Sequence, residues 1–286
     1  KVEKINRKNI LLTTGADTAI KLIFETLIKK KDKIIITDPS FAMYKVYAEL
    51  FDTIYFKMKY VKMGNSFKLN TDKLFKLIKQ KKIKAFFLPN PDSPSGHAFS
   101  YLELKEIVNL CKLNSVYLII DEAYFPFYKY SSIKFIKKYD NLIIIRTGSK
   151  SFGLAGLRVG FIASNSKIIT LISKYRPIYE IGNLSSKFYT HLYKNIKLVN
   201  KITFEQIIIK NNFENFLRKL NFDVIETNAN FVLVNFKNKK RKIEKMINKI
   251  AYIKNNIYID KKYYSRITIT DNYKIIKIKK LIKNAR

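Results

Sequence analysis

Residues 146–160 read RTGSKSFGLAGLRVG, directly after the apolar run NLIII at 141–145. A short run rich in β-branched residues, with no Gly or Pro, fits a strand buried on both faces. The stretch that follows is studded with Gly148, Gly153, Gly156 and Gly160, so the chain leaves the strand and turns back. In open α/β sheets, ligands gather beyond the carboxyl ends of the strands. The stretch therefore delivers Thr147, Ser149 and Lys150 to such an end and returns Arg158 close by. Lys150 alone carries little weight, because eight of the 56 basic residues are Arg and the rest are Lys. Its neighbours have to single it out.

Outward from this point, apolar runs alternate with amphipathic stretches. ILLTT (10–14) reads as a strand, and Gly15-Ala16-Asp17 opens the helix TAIKLIFETLIKK. KIIITD (33–38) is a strand closed by Pro39, a helix runs through YKVYAEL, and TIYFKM is another strand. A helix over 71–81 leads to the strand KAFFLP and the turn-rich NPDSPSG, and a helix over 101–113 precedes VYLIID. This alternation predicts an α/β fold, a large domain whose mainly parallel sheet lies between helices. From about 177 to 220 the pattern is long and helical. FDVIE, ANFVLVNF, a Lys-rich helix near 241–250, RITIT and a terminal helix follow, which reads as a smaller C-terminal α+β domain. The expected division is a large domain over 1–180, a linking helix over 181–204 and a small domain over 205–286. KNKKRK (237–242) is expected to be a solvated loop and helix start.

Composition narrows the function classes. Hydrophobic residues make up 47% of the chain, enough for a sizeable core, and no apolar run is long enough to span a bilayer. The single cysteine, Cys111, excludes an intrachain disulfide framework and fits a reducing compartment, hence a cytoplasmic expectation. The net charge of +34 invites a nucleic-acid reading. The pattern argues against it: Lys is spread along the whole chain beside abundant Asn and Ile, as in an A/T-rich coding bias. A nucleic-acid footprint would cluster on one face and favour Arg forks. No specific nucleic-acid partner and no membrane partner are expected. His97, just after Gly96, reads as a loop residue, and His191 lies far from it in sequence. Nothing has metal-ligand spacing, so no metal is expected.

Three polar clusters fall at strand ends: GAD (15–17) at a helix start, where free N–H groups favour an anion, DEAY (121–124) and TGSK (147–150). Each is weak evidence alone. Together, DEAYFPF followed by RTGSKSFGLAGLRVGF resembles the core signature of pyridoxal-phosphate aminotransferases of fold type I, class I/II, and in particular the histidinol-phosphate aminotransferase family. LLTTGADTAI, TDPSFAMY and LPNPDSPSG before it, and ETNANFVLV and SRITIT after it, extend the resemblance over nearly the whole chain in family order.

The resemblance implies pyridoxal 5'-phosphate as cofactor. Lys150 would hold it as a Schiff base and shuttle protons, and a depressed lysine pKa, helped by Arg158, would suit that role. Asp121 would keep the ring nitrogen protonated, and Tyr124 would hydrogen-bond the ring hydroxyl. Gly15, Ala16, Asp17, Thr147, Ser149 and the fork of Arg158 would hold the phosphate. Phe41 would stack on the ring where the family usually has Tyr, and Ser93 stands where the family has the Asn of Asn-Pro-Thr-Gly. Because Ser93 reaches less far, Asn90 or a water could stand in for it. Arg266 would grip the substrate's anionic group, and Asn230 would line the site.

Gly148 occupies a position that is usually bulkier, and ITIT lacks a Gly common after the small-domain Arg. The resemblance also implies a homodimer and an N-terminal segment that is missing here, as in a truncated chain; that segment would carry substrate contacts and a Tyr for the partner's phosphate. The implied reaction moves an amino group from an amino acid, glutamate, to a phosphorylated carbonyl acceptor. A pyridoxal-phosphate decarboxylase of a phosphorylated amino acid shares every residue named, and an inactive remnant or nucleic-acid binder is the alternative from another class.

Overall fold

The computed structural model describes residues 5–285; residues 1–4 and Arg286, the outer ends of the expected large and small domains, lie outside the described residues. The first part of the chain runs β1 (Ile10–Thr13), α1 (Gly15–Leu27), β2 (Lys33–Asp38), α2 (Ala42–Leu50), β3 (Ile54–Met63), β4 (Ser66–Leu69) and α3 (Thr71–Gln80). Next come β5 (Ala85–Pro89), α4 (Tyr101–Leu113), β6 (Tyr117–Asp121), β7 (Leu142–Thr147), β8 (Gly160–Ala163) and α5 (Ser166–Ser173). Two helices, α6 (Asn183–Lys194) and α7 (Ile196–Lys219), lead to β9 (Asp223–Ile225), β10 (Phe231–Asn235), α8 (Lys240–Ile247), β11 (Ile253–Ile259), β12 (Lys262–Thr268) and α9 (Asn272–Ala285).

The first eight strands form one sheet in the order β1-β8-β7-β6-β5-β2-β3-β4. The run β7-β6-β5-β2-β3 is parallel throughout. β8 is antiparallel to both β7 and β1, so β1 regains the common direction. Because the parallel strands point the same way, Thr13, Asp38, Pro89, Asp121 and Thr147 all end at one edge. The continuous apolar runs serve two cores at once. Ile35, Phe86, Leu118, Ile120 and Ile144 pack on one face with α3 and α4, while Ile34, Phe87, Ile119, Ile143 and Ile145 pack on the other with α1, α2 and α5. α4 starts on a capping box, with Ser100 accepting from the Glu103 N–H and Glu103 accepting from the Ser100 N–H.

The second sheet has the order β11-β12-β10-β9 and is antiparallel throughout. One face, with Ile225, Leu233, Ile257 and Tyr264, joins the large-sheet core; the other, with Val224, Val232, Val234 and Ile267, packs on α7, α8 and α9. The helical stretch before it is divided at Asn195, and its second helix runs on to Lys219, where Phe213 and Leu217 belong to the small-sheet core. KNKKRK begins with a short 3-10 turn (Lys237–Lys239) and continues into α8.

Candidate active site

A cleft of ≈ 300 Å³ opens at the common carboxyl edge, walled on its far side by the small sheet. Ala16, Asp17, Phe41, Ser93, Asp121, Tyr124, Thr147, Ser149, Lys150, Arg158 and Arg266 all line it. Apart from Arg266, which the small sheet supplies, these residues sit at or just beyond strand ends at this edge of the large sheet, so segments separated by more than a hundred residues converge. Gly15 lies just beneath: its φ is +78°, and a Cβ there would stand 2.9 Å from Arg158 Nη2. Asn230 is not among the lining residues; its carbonyl accepts the Ile269 N–H at 2.8 Å.

Asp121 is buried at the end of β6. Tyr44 donates its hydroxyl to Oδ2 at 2.6 Å, and the Ala123 N–H donates to Oδ1 at 2.9 Å. Burial pushes this carboxyl up to about 6, against the opposing pull of those two donors. The Lys150 ammonium lies 5.7 Å from the centre of the Tyr124 ring. Its pKa is lowered, first by the desolvating walls of the cleft and next by the Arg266 guanidinium; Arg158, expected to be the helper, lowers it less than Arg266 does. Burial likewise raises Tyr124.

Arg158 closes the turn back to β8 with a left-handed backbone, φ 44°. Its guanidinium sits over the start of α1, with Nη2 3.1 Å from Asp17 Oδ2 and Nη1 3.5 Å from Ser149 Oγ. Thr147 Oγ1 donates to Ser149 Oγ at 3.0 Å. Hydroxyls, helix N–H groups and a guanidinium thus face one spot, a receptor suited to a phosphate. Gly148 is small because the Tyr189 ring of α6 fills the adjoining space; a Cβ there would lie 3.2 Å from it.

The opposite wall is cationic. Arg266 of β12 donates from Nη1 to Ser93 Oγ at 2.7 Å, and its guanidinium lies 5.3 Å from the Phe231 ring centre. Lys254 of β11 pairs with Arg266 in the strand register and also lines the cleft. Asn90 Oδ1 is occupied by the Phe99 N–H, but its buried Nδ2 has no hydrogen-bond partner.

Four further residues escape a reading of the sequence. Tyr44 lies one helical turn beyond Phe41 within TDPSFAMY, so its proximity to the site was available from spacing. Lys254 gave no signal among so many lysines. Asp92 is buried beneath the Ser93 loop. Arg146, in the opening motif but counted only as one Arg of eight, is buried behind the site. It pairs with Glu122 (Nη2 to Oε2 2.9 Å), donates to Ser131 Oγ at 2.8 Å and to the Tyr193 hydroxyl, and stacks 3.6 Å from the Phe125 ring centre. Among the described residues no group of three or more His, Cys, Asp or Glu could hold a metal ion, and no helix is long and apolar enough to cross a membrane.

Residues 1–278 match the family model of aminotransferase class I and II. The histidinol-phosphate aminotransferase of Clostridium novyi (strain NT) is 31% identical over 282 residues, covering 98% of this chain and 77% of the relative. That of Sulfurisphaera tokodaii is 32% identical over 254 residues, covering 89% and 70%. Among solved structures, the histidinol-phosphate aminotransferase of Clostridium acetobutylicum superposes with a TM-score of 0.85 at 23% identity, covering 99% of this chain and 85% of that one. The Sinorhizobium meliloti histidinol-phosphate aminotransferase, solved in complex with pyridoxal-5'-phosphate, gives 0.83 at 16%, covering 100% and 79%. With its mainly parallel sheet, its second small sheet and its match along nearly the whole sequence, the chain belongs to the class I and II aminotransferases, pyridoxal-phosphate-dependent transaminases of fold type I.

Proposed function

We propose that this chain moves an amino group from an amino-acid donor, glutamate, to a phosphorylated carbonyl acceptor of the histidinol-phosphate kind. One observation carries the reading: Lys150, Asp121 and Arg158 share a cleft whose other wall presents Arg266 and Lys254. Two separate anion receptors flank one lysine, as a phosphorylated cofactor and an anionic substrate together require. The names of the relatives at 31–32% identity support the acceptor class.

The residues fit pyridoxal phosphate. A side chain at Gly15 would fill the space beneath Arg158, so the cradle is kept open at the start of α1. The unpartnered Asn90 Nδ2 is a buried donor near the Ser93 loop, and Asp121 is a buried acceptor already oriented by Tyr44. Arg158, Thr147, Ser149 and the N–H groups of Ala16 and Asp17 would hold the phosphate, Asp121 the ring nitrogen, Tyr124 the ring hydroxyl, and Phe41 one ring face.

When bound, the cofactor supplies an electron-withdrawing ring that makes the donor's Cα proton acidic. Lys150 does the proton work: its lowered pKa raises the fraction of free amine at Nζ that can take a proton and return it. Arg266 and Lys254 bind and orient the substrate's anionic group. Ser93 steadies Arg266 rather than serving the ring alone, since its hydroxyl already accepts from that guanidinium.

Apolar side chains stay exposed on the loop before α6 and along α6 and α7, among them Ile178, Leu184, Phe188 and Phe204, which supports a homodimer. The lone buried thiol of Cys111 suits a cytoplasmic setting.

The test is direct: incubate the purified chain with pyridoxal phosphate, histidinol phosphate and 2-oxoglutarate, and measure glutamate. Glutamate formation that disappears in Lys150→Ala supports the reading. In a parallel incubation with a phosphorylated amino acid in place of histidinol phosphate, carbon dioxide release without glutamate assigns the site to decarboxylation and overturns the reading.

A further inference from the structure

Asp92 is a carboxylate with no exposed surface and no cationic partner among the contacts described for it. Instead it gathers three neutral donors. Oδ2 accepts from the Ser95 N–H at 3.0 Å and from the Ser95 hydroxyl, and Oδ1 accepts from the Ser40 hydroxyl at 3.0 Å. Its own N–H donates to the His97 carbonyl at 2.8 Å. A buried carboxylate held in this way is costly unless its hydrogen bonds are needed.

Its position gives them a use. Ser40 precedes Phe41, and both line one wall of the cleft; Ser93 follows Asp92 and lines another. Ser40 comes from the β2–α2 loop and Asp92 from the loop after β5. We propose that Asp92 is a positioning residue, tying the loop that carries Phe41 to the loop that carries Ser93 and so fixing the gap between two walls of the cofactor cleft. This deepens the cofactor reading and rests on it.

Hydrogen-bond geometry rather than charge is what the tie supplies. The titratable groups that bear on the carboxyl are themselves acidic or neutral: Tyr44 of α2, Tyr60 of β3, Asp121 of β6 and Tyr124. Burial pushes the Asp92 carboxyl up to about 7. A side-chain amide of the same shape could keep the tie. Its oxygen would accept from Ser95, and its NH₂ would donate to Ser40 Oγ, a hydroxyl that can reverse its role.

The experiment compares pyridoxal phosphate binding, by equilibrium dialysis, in the wild type, Asp92→Asn, Asp92→Ala, Ser40→Ala and the Ser40→Ala/Asp92→Ala pair. Asp92→Ala and Ser40→Ala should each weaken binding about five- to tenfold, a hydrogen bond's worth. Asp92→Asn should restore it to within about twofold, and the double variant should be no worse than Asp92→Ala, as expected for one shared contact. Melting curves identify any variant that fails to fold, and Ser40→Ala, which removes only a hydroxyl, then decides. If Ser40→Ala binds like the wild type, or if Asp92→Asn is as weak as Asp92→Ala, the tie is refuted. If the wild type itself binds no cofactor, the cofactor reading of the cleft fails instead.

Discussion

Arg266 and Ser93 meet at 2.7 Å, joining the small sheet to the loop after β5 of the large one. The bond bridges two walls of the cleft, so the group proposed to meet the substrate also latches two parts of the chain. Arg266→Ala should lower kcat/KM roughly 10- to 100-fold, the scale of losing hydrogen bonds to a charged group. Most of the loss should fall in KM for the anionic substrate. Steady-state kinetics against both substrates would show it; an unchanged KM would remove Arg266 from the substrate site.

Lys150→Ala should abolish the visible absorbance of the lysine-bound cofactor and reduce kcat by roughly 10²–10⁴-fold or more, the range for losing a positioned proton carrier. Lys150 is exposed to the cleft rather than packed in a core, so the melting temperature should barely change. Spectra and calorimetry on one sample would separate these effects.

Gly15→Ala tests the cradle. At φ +78° a side chain costs about 1–2 kcal/mol of backbone strain. The added methyl would also push on Arg158 Nη2. Urea unfolding should show the strain, and inorganic phosphate should compete less well for the apo site than in the wild type.

Burial raises the carboxyls of Asp121, to about 6, and of Asp92, to about 7, above the ordinary 3.8. Between about pH 4 and 7 these two groups bind more protons in the folded chain than in the unfolded one, while His97, lowered to about 4 by burial, works the other way up to about pH 6.5. These groups therefore make stability fall as pH rises through that window, and acid relieves the strain. Melting of the cofactor-free chain from pH 4.5 to 8 should show this slope above about pH 6.5, where His97 no longer opposes it. Asp92→Asn should flatten its upper part; an identical slope in the variant would mean that Asp92 does not titrate there.

Glu122 and Arg146 are 2% and 1% exposed, so removing one leaves the other charged and dry. Glu122→Ala should cost about 3–5 kcal/mol, whereas Glu122→Leu with Arg146→Met should cost far less. Denaturant titration of the three proteins would show whether the pair is retained for stability or for placing Asp121 and Thr147 side by side.

Much of this was legible beforehand. The strands at 33–38, 85–89, 117–121 and 142–147 each hold an unbroken run of three or four apolar residues, and burial on two faces demands such runs. The residues of RTGSKSFGLAGLRVG could be read together because they are close in sequence. β8 was hidden because its four residues begin at the last Gly of that motif and are too few to show a period. β11 was hidden because its pairing with β12 slips between Lys254 and Ile257, where Asn256 takes a positive φ, and a slip breaks the period of two. Asp92 and Arg146 owe their roles to burial by distant segments, which composition cannot show. Lys254 matters only because the register sets it beside Arg266.

The reversed direction of β8 also bears on how the site assembles during folding. Lys150 and Arg158 lie on one short connection between strands that pair with each other, Arg146 opposite Phe161 and Thr147 opposite Gly160. Closing so short a loop costs little chain entropy, and Asp121 follows through its pairing with Ile145 of the next strand, whereas Gly15 reaches the same cleft only through the far longer-range pairing of Thr13 with Gly160. By contact order, the two cations come together first, the carboxylate next, and the helix start that completes the receptor arrives with the rest of the sheet.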